Sequence, residues 1–295
     1  MKVINPTLIT SAQLISSTVP ENEYLAYAAP TNYLVGVRVI YASKIYESVQ
    51  TPNTGKTPDL FPLFWAAISA TNRFMMFDSE VSSQTVGASP MTVVLAPGTP
   101  VNSLAILEVD AAAISISITD GPGGAVIYTY QRALDASNVS DWYEYFTLPF
   151  IPTRQIILTN LPSNGSARIT ITITGGTVKC GYVVLGNVAD IGFTQQNATI
   201  GIIDYSRKET SATGVTSFVK RKFSRRMTAR SQFATPELNR IQRVLADLRA
   251  TPAVWIGTEL DGFEPLTVFG FYRDFSIDVS YGDANFCSLE VEGLT

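Results

Sequence analysis

Histidine is absent from all 295 residues, and this one count excludes more chemistry than any motif supplies. Ser-His-Asp and Cys-His nucleophile systems, histidine-bearing zinc hydrolase sites and histidine pH switches all fall away. The two cysteines, Cys180 and Cys287, stand too far apart for metal-ligand spacing and read as reduced, buried thiols. No metal or cofactor is expected. Paired carboxylates of the glycosidase kind survive the exclusion, since they need only two acids facing one another across a cleft. Asp141 with Glu144, and Glu259 with Asp261, are the close pairs. Both read as solvated loops, so no catalytic residue is assigned and the chain is not expected to be an enzyme.

Two other groups have the composition of binding surfaces. Tyr24, Tyr27, Tyr33, Tyr41, Tyr46 and Trp65 crowd a short stretch near the start. Exposed, Tyr27, Tyr33, Tyr46 and Trp65 would stack on sugar rings; buried, the same side chains would form the core of a small domain. The second group is basic: six Lys or Arg residues fall between Lys220 and Arg230 without one acid, in a chain of net charge -4. At the two-residue period of a strand, Lys220, Lys222, Arg226 and Arg230 share one face, opposite Val219, Phe223, Met227, Ala229 and Phe233. Such a face suits solvent, a salt-bridged subunit contact or nucleic acid. The mild acidity of the whole chain argues against the last and against a membrane partner.

The elements that must position these groups are mostly strands. Val, Ile, Thr, Tyr and Phe dominate the apolar runs, hydrophobic residues make up 46% and charged ones only 16%, a mainly β composition. Residues 1–22, interrupted by Pro6 and Pro20, read as an N-terminal arm that packs on a neighbour. Residues 23–69 form a small aromatic β module with strands near 37–41 and 45–49. Residues 70–188 carry strands near 91–95, 103–109, 114–119, 126–130, 144–148, 155–159, 167–174 and 178–185, spaced as in a jelly-roll-like β-sandwich. Ile114-Ser-Ile-Ser-Ile118 and Ile169-Thr-Ile-Thr-Ile173 alternate strictly, so each should bury one face.

Residues 189–295 form an α+β domain around one helix. Leu238, Ile241, Val244, Leu245 and Leu248 repeat at helical spacing, with Thr235 as the expected cap, Pro236 in the first turn and Pro252 beyond the end. The helix should lie on a sheet built from the 217–233 run and the strands that follow residue 253. No signal peptide is legible, and no apolar run is long enough to span a bilayer, so membrane insertion is not expected and synthesis is placed in a cytoplasm.

Two resemblances attach to these residues. Ala26-Tyr-Ala-Ala-Pro-Thr-Asn-Tyr33, Val35-Gly-Val-Arg-Val-Ile-Tyr41, Lys44-Ile-Tyr-Glu47 and Phe64-Trp65 together resemble the short chitin-binding type of carbohydrate-binding module. Gly201-Ile-Ile-Asp-Tyr-Ser-Arg-Lys-Glu209, Leu248-Arg-Ala-Thr-Pro252, Gly270-Phe-Tyr-Arg-Asp-Phe-Ser-Ile277 and Cys287-Ser-Leu-Glu-Val-Glu-Gly-Leu294 resemble a family of tailed-bacteriophage virion proteins. The early Leu14–Glu21 run and Thr71-Asn-Arg73 fit the same family. The resemblance implies a structural role near a tail tip or baseplate, in the virion, with a tail-tube-like C-terminal domain forming a ring of copies through strand edges and the Lys220, Lys222, Arg226, Arg230 face. Other tail proteins would be its neighbours, and the small module would meet host surface glycan. A free carbohydrate-binding adhesin, or a glycan-degrading enzyme, is the alternative expectation.

Overall fold

The computed structural model describes residues 1–80, 83–134, 141–147, 152–210, 214, 216–260, 262–280 and 282–294. The chain is mainly β, as its composition requires. Eleven strands join in one antiparallel sheet. Its main path runs Gln155–Leu158, Ser103–Asp110, Thr177–Asp190, Lys2–Pro6, Ala253–Ile256, Thr267–Asp278, Ala284–Gly293, Phe223–Ala234 and Phe193–Thr194. Thr85–Ala88 adds to the Thr177–Asp190 strand, and Thr199–Asp204 adds to Phe223–Ala234.

This sheet is strongly curled. Tyr182 and Phe269 lie three strands apart, about 14 Å across a flat sheet, yet their ring centroids are 4.8 Å apart. Glu108 and Arg225 lie six strands apart and still form an ion pair at 3.0 Å. The inner face therefore packs on itself, with Ile4, Leu107, Tyr182, Val184, Val254 and Ile256 filling the concavity. The outer face is covered twice, at two different places. At one, a five-stranded sheet of Val126–Ala133, Ala113–Thr119, Arg168–Thr174, Met91–Leu95 and Leu14–Ser17 closes the sandwich. Ile114, Ile116, Ile118, Ile169, Ile171 and Ile173 face Leu104, Ile106, Val183 and Leu185 there, so the strict alternation in sequence is the alternation of burial. At the other, the helix Leu238–Asp247 lays Ile241 and Leu245 on Val3, Trp255, Met227 and Leu289, and Leu248 just beyond its end joins them. Each such side chain contributes about 1.5–3 kcal/mol by leaving water.

Several expectations are corrected. Residues 1–22 are not a separate arm. Lys2–Pro6 pairs with Thr177–Asp190 on one side and Ala253–Ile256 on the other, and Leu14–Ser17 closes the edge of the five-stranded sheet. Val3 and Ile4 are both fully buried because the strand is covered on both faces, which gives a continuous apolar run instead of an alternating one. The division expected at residues 188 and 189 runs through a strand, since Thr177–Asp190 keeps pairing with Lys2–Pro6 up to Asp190. Residues 142–147 form a short helix where a strand was expected near 144–148, and Trp142 and Phe146 stack at i and i+4. Leu148 lies outside the described residues. Thr235 does not cap the long helix: a 3-10 turn, Thr235–Glu237, precedes it, and the Thr235 hydroxyl instead donates to Gly282 O at 2.9 Å and accepts from Asn285 Nδ2.

The small module is a three-stranded sheet of Arg38–Tyr41, Lys44–Ser48 and Trp65–Ala70. Its first hairpin turns through Ala42 and Ser43, both left-handed at φ 47° and 62°, a two-residue turn whose twist matches the flanking strands. Entry and exit are tied together. Glu21 accepts the Thr71 hydroxyl and an Arg73 guanidinium contact, while Arg73 Nε also donates to Val19 O at 2.8 Å. The Leu14–Glu21 run and the Thr71-Asn-Arg73 segment, far apart in sequence, are thus two sides of one joint.

Candidate functional site

The four aromatic residues expected to meet sugar turn inward. Trp65 is 2% exposed, Tyr33 7% and Tyr46 8%, and Tyr27 is half-buried against them. Tyr27 stacks on Tyr33 with centroids 5.7 Å apart, and Trp65 meets Tyr33 edge-on at 5.2 Å and Tyr27 at 5.9 Å. Trp65 Nε1 donates to Lys56 O at 2.8 Å, and Ala28 N–H donates to the Tyr33 hydroxyl at 2.7 Å. A module this small has too few aliphatic positions to bury, so its rings become the core. Their flat faces are occupied by one another, which leaves Tyr33, Tyr46 and Trp65 no surface on which a sugar could stack. The exposed apolar residues of the module are mostly aliphatic, among them Leu25, Leu34, Val35, Leu60 and Leu63, while the exposed Tyr24 ring lies under the Arg38 guanidinium.

The basic face is likewise divided. Arg226 is paired with Glu290 at 3.0 Å, and Arg230 with Asp278 at 2.8 Å while lying over the Phe286 ring. Glu290 is therefore occupied within the chain, and Glu292 accepts the Tyr205 hydroxyl at 2.9 Å. Lys220 and Lys222 are exposed and sit between two strands, because residues 220–222 interrupt the single run expected over 217–233. Beyond that interruption Arg207–Thr210 and Thr216–Val219 pair as a separate ribbon on which every residue is exposed. Met227, Ala229 and Phe233 pack toward the helix as their period requires, but Val219 and Phe223 are exposed at the ribbon base. Ile200, Ile202, Tyr205 and Phe218 are exposed on the same projection. Residues 211–213 and 215, between the two ribbon strands in sequence, lie outside the described residues.

The two close carboxylate pairs are Asp141 with Glu144 and Glu259 with Asp261. Asp261 and the side chain of Glu144 lie outside the described residues. Glu259 accepts Lys2 Nζ at 2.6 Å on one oxygen and Thr159 Oγ1 at 2.6 Å on the other. Burial works to raise its pKa, but these hydrogen bonds outweigh it and hold the carboxyl below its ordinary 4.5. Among the described residues no group of three or more His, Cys, Asp or Glu side chains could hold a metal ion. Both cysteines are free and buried, and burial pushes the Cys180 thiol up to about 12 and the Cys287 thiol up to about 11. Neither offers a thiolate near neutral pH.

One feature had no sequence signal. The residue 257–266 loop is flanked by two clefts that share Thr258 and Glu259. Their other lining residues come from the first strand, the sandwich and the Phe193–Thr194 strand, and only the curl of the sheet brings these together. Compared with known proteins, the chain matches no family model, no curated protein and no solved structure.

Proposed function

We propose that the chain is a structural component of a bacteriophage tail, near the tail tip or baseplate, that assembles with copies of itself into a ring and presents its small module outward. The observation that carries this reading is the exposed ribbon of Arg207–Thr210 and Thr216–Val219, with Thr199–Asp204 and Phe223 at its base. A two-stranded hairpin is at best marginally stable alone in water. This one extends past its own body with Ile202, Phe218 and Phe223 each more than half exposed, and with Arg207, Lys208, Lys220, Arg221 and Lys222 beside them. Thr199–Asp204 also keeps an edge that is unpaired among the described residues, which invites another strand. Apolar side chains on an open edge, ringed by cations, are the composition of a surface meant to be covered. A heterologous contact of one copy's ribbon with a different surface of the next closes into a ring. The phage-like segments in residues 201–209, 248–252, 270–277 and 287–294 support the same reading.

Reversing charge on the ribbon tests it. Arg207 and Lys208 make no ion pair among the described residues, so Arg207→Glu with Lys208→Glu and Lys220→Glu should leave the monomer folded and abolish ring formation, scored by electron microscopy and size-exclusion chromatography. Normal assembly of the triple variant would remove the proposal.

A further inference from the structure

The two clefts beside the 257–266 loop adjoin at Thr258 and Glu259, which line both, as two halves of a groove. The first, about 300 Å³, is lined by Arg132, Gln155, Thr159, Glu259 and Phe263 among others. The second, about 280 Å³, is lined by Lys2, Phe193, Thr194, Thr258 and Glu259 among others. Each half lies at the small end of ligand-binding cavities, which begin near about 300 Å³. Phe263 is half-exposed in the first half, and Phe193 is 83% exposed in the second. An aromatic ring therefore stands in each half, with a fixed carboxylate between them.

The groove is held in shape from several directions. Gln155 Nε2 donates to Glu264 O at 3.1 Å, bridging the sandwich edge to the loop. Within the loop, Gly257 N–H donates to Leu266 O at 2.8 Å and Leu266 N–H to Phe263 O at 2.9 Å. Lys2 and Thr159 occupy one site on each Glu259 oxygen. A carboxylate offers about four acceptor sites, so roughly two remain for hydroxyl donors from outside. Arg132 has no carboxylate of the described residues within ion-pair distance and brings up to five donors to the first half.

This chemistry narrows the ligand. An anion would meet Glu259 and Glu264, and a metal ion would find no three-ligand cluster among the described residues. An added peptide strand would need an open backbone edge; the Ala253–Ile256 strand beneath the groove is paired on both sides, and the end strands that line it, Gln155–Leu158 and Phe193–Thr194, are only four and two residues long and lie at opposite ends of the sheet. A neutral, polyhydroxylated ring satisfies both kinds of surface. Its C–H face covers an aromatic side chain, and its hydroxyl groups donate to the carboxylate and accept from the guanidinium.

We propose that this groove binds a short neutral oligosaccharide, with one sugar ring against Phe263, the next against Phe193, and hydroxyls of both on Glu259. The proposal goes beyond the tail reading and does not require it, since the sugar assay and the assembly assay fail separately.

The test is an array of neutral oligosaccharides of two to six residues probed with the full chain, followed by calorimetric titration of the best binder. Phe193→Ala, Phe263→Ala and Glu259→Gln should each weaken binding about tenfold, with Arg243→Ala, exposed on the helix, as a variant that leaves it unchanged. Both phenylalanines are at the surface, so their truncation leaves the fold intact and decides the matter if Glu259→Gln is unstable. Failure of the full chain to bind any neutral oligosaccharide, binding of acidic glycans or peptides alone, or sugar binding untouched by both phenylalanine variants would each overturn the proposal.

Discussion

Glu21 accepts the Thr71 hydroxyl at 2.8 Å across fifty residues of sequence, and this bond holds the two ends of the small module against the sandwich. Thr71 is fully buried, and Arg73 reaches the same carboxylate at 3.4 Å. Glu21→Ala leaves a buried hydroxyl without its acceptor, a loss of about 1–3 kcal/mol. Urea unfolding should show that loss, and limited proteolysis should cut faster at the module's junctions. A variant as stable and as resistant as the parent would show that the joint is held elsewhere.

Trp65 tests whether the aromatic cluster is a core. Trp65→Ala should cost about 3–5 kcal/mol, most of what a domain this small has to lose. The module should unfold while the Ile114 and Ile169 strands stay protected, as read by amide hydrogen exchange. An exposed sugar platform would behave otherwise, since truncating it would leave protection in the module unchanged.

Arg226 and Arg230 separate local pairing from assembly. Each sits in a half-exposed ion pair within the chain, and such pairs are worth about 0.2–1 kcal/mol. Arg226→Ala and Arg230→Ala should therefore lower the thermal midpoint slightly and leave any ring intact. The ribbon variants should do the reverse. If the Ala variants abolish assembly at an unchanged midpoint, these arginines bind a neighbour and not Glu290 and Asp278.

Glu259 gives a pH signature. Its carboxyl is held below its ordinary value of 4.5, with burial opposing and the Lys2 and Thr159 hydrogen bonds prevailing. A depressed folded-state pKa contributes stability that is present above the unfolded value and is lost as pH falls through the folded one. The parent should thus be more stable than Glu259→Gln at neutral pH, by up to about 1 kcal/mol given the exposure of the Lys2 pair. The gap should close below pH 4.5. A gap that persists or widens in acid would assign the effect to packing.

What could be read from sequence followed the local periods. The isoleucine alternations at 114–118 and 169–173 and the leucine spacing of the long helix are near-neighbour patterns, and burial reproduces them. The clustering of Tyr27, Tyr33, Tyr46 and Trp65 was visible, but composition cannot distinguish rings that face one another from rings that face solvent. The place of Lys2–Pro6 was not legible, because five residues carry no usable period and their partners lie at Gly186–Asp190 and Val254–Ile256. The groove was hidden for the same reason: Lys2, Arg132, Thr159, Phe193 and Glu259 meet only after the sheet has curled.

The position of that first strand also sets an order of events. Lys2 precedes one of its neighbours, Ile256, by about 250 residues of synthesis. One edge of the Lys2–Pro6 strand can pair once Thr177–Asp190 has been made, but the other must wait for Ala253–Ile256. Contacts so distant close slowly, so the two halves of the large sheet are joined through this strand late, when the small module has had time to form.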